Sequence, residues 1–186
     1  MKVLFKLRKI YFLITISIQL ISFSIFAENV TFSTPQIVAA DGNRPQIATD
    51  ISGRYVYVIE FEGAGLTGPT KIFISSDFGV NFSSATGAFG TGFNPQIITD
   101  ISGRYIFATW SDGATNIKIF FSLNFGLSWI DVDSSNTTFG LGGAPQIITD
   151  SVSRNIYGIW ADSSDPIDLT RGLRSFFPIR GLKINR

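Results

Sequence analysis

The chain has 186 residues, with fifteen Lys and Arg against fourteen Asp and Glu, eighteen phenylalanines, and neither cysteine nor histidine. Without cysteine no disulfide framework can hold a fold, so buried apolar surface must do so. Without histidine the Ser-His-Asp arrangement and every histidine metal site are excluded, leaving Asp, Glu, Tyr, Arg and Lys for any chemistry.

Residues 1–27 read as a secretory signal. Lys2, Lys6, Arg8 and Lys9 give a basic start, Ile10 to Phe26 is an apolar run with five polar interruptions, and Ala27 offers a small residue for cleavage. Export to the periplasm or the cell exterior is expected, with a mature N-terminus at Glu28. An uncleaved leader would be the only route to a membrane, since the run approaches the roughly 20 residues that span a bilayer.

Residues 28–170 carry six basic residues against fourteen acids, a net −8, whereas 171–186 carry five basic residues and no acid. An acidic body is a poor partner for nucleic acid, whose affinity rests largely on phosphate neutralisation. No nucleic-acid partner is expected.

The body is a repeat. Pro45-Gln46-Ile47, Pro95-Gln96-Ile97 and Pro145-Gln146-Ile147 recur every 50 residues, each followed by a Thr-Asp pair at 49–50, 99–100 and 149–150. Residues 28–169 are therefore taken as tandem units starting near 45, 95 and 145, and 170–186 as a basic, poorly ordered tail. In chain order, residues 29–34 are predicted as the last strand of a preceding unit, because Phe32 stands 50 residues before Phe82. Gln46 to Thr49 is then a first strand and Asp50 to Gly53 a turn, with Asp folding back on the backbone and Gly supplying a positive φ.

Arg54 to Phe61 is the second strand, apolar on both faces, which favours a sheet sandwiched between neighbours. Lys71 to Ser75 and Lys118 to Ser122 are third strands, and Val80 to Ser84 a fourth. Gly87 to Gly92 and Gly140 to Gly143 read as connections with no helix behind them, hence not phosphate cradles. No cofactor is expected. Trp110 and Trp160, at equivalent strand ends, read as packing aromatics. Four strands in about 50 residues, repeated in tandem, match the blade of a β-propeller.

Between the third and fourth strands stand Ser75-x-Asp77-x-Gly79-x-x-Phe82 and Ser122-x-Asn124-x-Gly126-x-x-Trp129. This pattern resembles the Asp box (BNR repeat) of the sialidase-like superfamily. The fold the resemblance implies is an all-β, sialidase-like β-propeller of tandem four-stranded antiparallel blades, here incomplete at about two and a half. Phe82 replaces Trp in the first box, Asn124 replaces Asp in the second, and the third unit has none. In that family the box is a structural turn that also occurs in proteins that only bind. A sialidase would add an arginine triad, an acidic acid/base and a Tyr-Glu pair, and these are not found. Arg44-Pro45 is a faint echo of the element that supplies the first arginine, with one residue missing.

Arg54, Arg104 and Arg154 recur at the period, either in one surface role repeated or as ligand contacts. Asp131 with Asp133, and Asp162 with Asp165 and Asp168, read as ordinary acidic loops and not as paired catalytic carboxylates or calcium ligands. The expected function is an exported, non-catalytic binding module for a carbohydrate or protein, or a degenerate fragment of one. The alternative is an exo-sialidase or related glycosidase of the Asp-box family. A partial ring leaves its end blades uncovered, so self-association to complete it is expected too.

Overall fold

A computed structural model describes residues 34–35, 37–113, 116–132, 140–151, 155–162 and 177–178. The chain divides into two units, Met1–Pro35 and Gln36–Arg186, and every strand among the described residues lies in the second. The leader, the strand expected at 29–34 (save Thr34, which is not in a strand), Arg154, Asp133, Asp165, Asp168 and most of the tail lie outside the described residues.

The 50-residue period becomes an antiparallel meander. Unit one gives β1 (Gly42–Thr49), β2 (Val56–Glu62), β3 (Gly68–Ser75) and β4 (Ser83–Ser84), each hydrogen-bonded to the next. Unit two repeats the order as β5 (Thr91–Thr99), β6 (Ile106–Ser111), β7 (Ile117–Ser122) and β8 (Ile130–Asp131). Unit three gives β9 (Gly142–Thr149) and β10 (Ile156–Asp162), with β11 (Phe177–Pro178) against β10. No described residue is helical. The fold is all-β, made of successive propeller-type blades.

Register repeats with the sequence: Thr49 pairs Val56, Thr99 pairs Ile106 and Thr149 pairs Ile156. Neighbouring units are stitched at the rim by Gly68 pairing Gly92 and by the Asn116–Leu141 bridge.

Several boundaries differ from the sequence expectation. The first strand starts at Gly42, not Gln46, because a bulge between Asn43 and Gln46 lets the ladder run past Pro45, and the same irregularity recurs in the other units. The residue before each proline, Arg44, Asn94 or Ala144, takes a positive φ of 48°, 50° or 50° to make it. The second strand starts at Val56, and the fourth shrinks to Ser83–Ser84. Gly92, Gly142 and Gly143 belong to strands, not to the expected connections. Phe177–Pro178, within the segment expected to be a poorly ordered tail, pairs with β10 at the third strand position of unit three.

The main core lies between units one and two. Tyr57, Ile59 and Ile72 of the first meet Phe89, Ile97, Ile106, Ala108, Trp110 and Phe120 across the gap. Trp110 stacks on Phe120 with centroids 5.0 Å apart and meets the edge of Phe89 at 6.4 Å. A smaller cluster of Ile117, Ile119 and Trp160 joins units two and three. This explains a second strand apolar on both faces: one face packs within the unit and the other against its neighbour.

Candidate functional site

The two Ser-x-(Asp/Asn)-x-Gly segments fold alike. Ser75 and Ser122 are buried, and each hydroxyl oxygen accepts the N–H of the box glycine, at 3.0 Å from Gly79 and 2.9 Å from Gly126. The hydroxyls in turn donate to Asp77 Oδ1 at 2.7 Å and Asn124 Oδ1 at 2.9 Å. The same Oδ1 atoms accept the N–H of Asn81 at 2.9 Å and of Ser128 at 3.0 Å, closing the turn. Gly79 and Gly126 sit at φ 79° and 83°, where a side chain is strained. Phe82 lies under Gly79, while Trp129 tucks under its own turn and donates Nε1–H to the Gly126 carbonyl at 3.0 Å. Asn124 serves because an amide oxygen accepts these bonds as a carboxylate does.

Arg54 and Arg104 brace these turns from the neighbouring strand connection. Arg54 Nε donates to the Ser76 carbonyl at 3.1 Å and Arg104 Nε to the Leu123 carbonyl at 3.0 Å. Their own carbonyls accept the N–H of Phe78 and Phe125, each at 3.0 Å, and each guanidinium lies over the tyrosine that follows it. The two arginines thus occupy equivalent settings in successive units, each bonded to the turn of its own unit. With Arg154 outside the described residues, no arginine cluster is assembled among those described.

The first turn also carries a pH signature. The Asn81 N–H, then its side-chain amide and the Ser75 hydroxyl, hold the Asp77 carboxyl at about 2, below the ordinary 3.8. A folded-state pKa below the unfolded one stabilises the fold above the unfolded value and loses that contribution as pH falls through the folded one. Urea denaturation between pH 5 and 2.5 is therefore expected to show an acid loss of stability that shrinks in Asp77→Asn. An unchanged acid slope in that variant would remove the carboxylate from the account. The second turn, with Asn124, has no such charge to lose.

A second locus was not anticipated. The first strands of the three units lie side by side, and an open cleft of about 480 Å³ runs across them, lined by Arg44, Gln46, Asn94, Pro95, Gln96, Ala144 and Gln146. It is built at the bulges, so each positive-φ residue and each glutamine two positions on takes an equivalent place in its own unit. Arg44 Nη1 donates to Asn94 Oδ1 across the first gap. Gln46 Nε2 donates to the Pro45 carbonyl at 2.9 Å. Among the described residues Gln96 and Gln146 have no side-chain hydrogen bond, and the cleft lining holds no carboxylate. The recurring Pro-Gln-Ile was visible as a repeat; that its glutamines face a common cleft depends on long-range packing that a repeat spacing does not encode.

Among the described residues no three acidic side chains gather in a metal-binding group. Asp131 is described, but its expected partner Asp133 is not, and neither are Asp165 and Asp168 beside Asp162.

Fold and site together define an all-β repeat protein of propeller-type blades with an open cleft across its first strands. No family model and no curated protein matches the sequence. Among solved structures the chain is similar to a GH74 xyloglucanase from Xanthomonas campestris, at 15% identity and a TM-score of 0.41 over 69% of this chain and 17% of that one. It is also similar to an ancestral GH74 enzyme, at 13% identity and a TM-score of 0.27 over 72% of this chain and 27% of that one. The chain thus spans less than a third of either enzyme's length, and the fold assignment rests on the strand pairing.

Proposed function

We propose that the chain is an exported, non-catalytic binding module of the propeller type, related to the Asp-box proteins, whose ligand is a neutral carbohydrate held in the cleft across β1, β5 and β9. The observation that carries this reading is the rank of Gln46, Gln96 and Gln146 along one open cleft. A primary amide offers one acceptor and two donors on adjacent atoms, which matches neighbouring sugar hydroxyls, and three amides at repeated places suit a ligand that itself repeats. Arg44, tied to Asn94, closes one part of the lining without setting up an acid/base pair. Export is supported by the basic start and apolar run of residues 1–27.

Calorimetric titration with neutral oligosaccharides tests the reading. Gln96→Ala is expected to weaken binding about tenfold, the loss of one or two hydrogen bonds in a partly desolvated site. Gln96 is the central member of the rank and is only half-buried, so the variant should fold. Affinity unchanged from that of the unmodified chain in both Gln96→Ala and Gln146→Ala would remove the cleft from the function.

A further inference from the structure

Besides the pairing at the rim, the three units are joined at their turns by one contact made twice. The Ile51 N–H donates to the Ile101 carbonyl at 3.1 Å, and the Ile101 N–H donates to the Ser151 carbonyl at 3.2 Å. The series therefore has a direction, each turn donating to the next. Among the described residues the Ile51 carbonyl has no preceding turn to bond and the Ser151 N–H has no following one.

The side chains around this series show the same polarity. On the face that a unit turns toward its predecessor, Ile97 is buried at 4% exposure because unit one covers it, whereas its counterpart Ile47 is 70% exposed. Phe125 on that face stacks on Tyr55 of unit one at 4.6 Å, whereas its counterpart Phe78 is exposed. On the face turned toward the successor, Tyr57 is fully buried and its hydroxyl donates to the Gly103 carbonyl at 2.6 Å. Its counterpart in unit three, Tyr157, is 39% exposed, beside an exposed Ile148.

We infer that these two open faces are complementary halves of the interface that already joins the units, and that their partner is a second copy of this chain. Every element needed is present. Tyr157 can donate to the Gly53 carbonyl of the other copy as Tyr57 does to Gly103, and the space over Gly53 is open where Gly103 is crowded by Asp50 and Tyr55. The Ser151 N–H can donate to the other copy's Ile51 carbonyl, continuing the series. The stoichiometry follows from closure. Closed propellers hold about four to eight blades; the three described units are fewer than that, and the six of two copies fall inside the range. A two-fold pair makes the junction twice, once at each of the two open faces described.

A chain without cysteine allows a clean cross-linking test. A Cβ built on Gly103 lies 3.1 Å from Tyr55 Cβ, close to the roughly 3.5–4.5 Å that a disulfide spans. The equivalent pair across the new junction is Gly53 and Asn155. Full chain carrying both Gly53→Cys and Asn155→Cys is expected to oxidise to a covalent dimer on a non-reducing gel, while either substitution alone gives no efficient cross-link. In parallel, sedimentation of the unmodified full chain in mild detergent should give twice the chain mass. Ile47→Glu or Tyr157→Glu, both at exposed positions, should weaken dimerisation about thirtyfold or more. A monomer at micromolar concentration overturns the inference, as does an association that neither Glu substitution weakens, which would place it in the apolar leader.

Discussion

Trp110→Ala is expected to cost about 3–5 kcal/mol, a large share of the roughly 5–15 kcal/mol that holds a domain of this size together. Trp110 is fully buried, stacks on Phe120, meets Phe89 edge-on and belongs to the cluster that joins units one and two. Its loss therefore opens a cavity at an interface between units and not inside one sheet. The indole Nε1 has no hydrogen-bond partner among the described residues, so truncation orphans no acceptor and the effect is one of volume and dispersion. Urea denaturation followed by fluorescence of the remaining tryptophans measures it. A loss under about 1 kcal/mol would mean that the two units do not share a core.

Gly92→Ala should be nearly as damaging for the opposite reason. A methyl at Gly92 would overlap Trp110 Cδ1 and sit 2.6 Å from the Ser111 carbonyl oxygen. The indole is clamped by two aromatic rings, and Ser111 is paired with Phe93 in the same ladder, so neither can yield alone. Overpacking of this kind costs about 1–3 kcal/mol or more. Gly90→Ala serves as the control: its surroundings are open, and only its φ of 76° is penalised, by about 1–2 kcal/mol. Combining Gly92→Ala with Trp110→Ala should give less than the sum of the two losses, because the first clash disappears with the indole. Strict additivity in denaturation midpoints would show that the contact with Trp110 is not the cause.

The sequence made the architecture legible and its details less so, for reasons that can be assigned to residues. The Pro-Gln-Ile period, the Asp50 and Asp100 turns and the two box segments are local signals; the first appears inside the first strand of each unit, and the others as antiparallel connections. Prolines 45, 95 and 145 misplaced the strand starts, since a missing N–H reads as a strand boundary unless a bulge absorbs it. Gly92 reads as a loop glycine because nothing near it in sequence reveals an indole from the next strand lying over it. Arg54 and Arg104 were legible as equivalent but not as braces, because the carbonyls they reach lie 22 and 19 residues away. The glutamine cleft escaped notice because it exists only once three first strands are brought together.

The directed series of turn-to-turn hydrogen bonds makes the described part of the molecule a short one-dimensional lattice whose sites interact with nearest neighbours. The middle unit shares its free energy with two neighbours, whereas each outer unit shares with one inside the same chain. Identical residues in the repeat therefore do not carry identical weight. Gly53 and Gly103 occupy the same turn with φ 74° in both, yet only Gly103 is pressed by another unit.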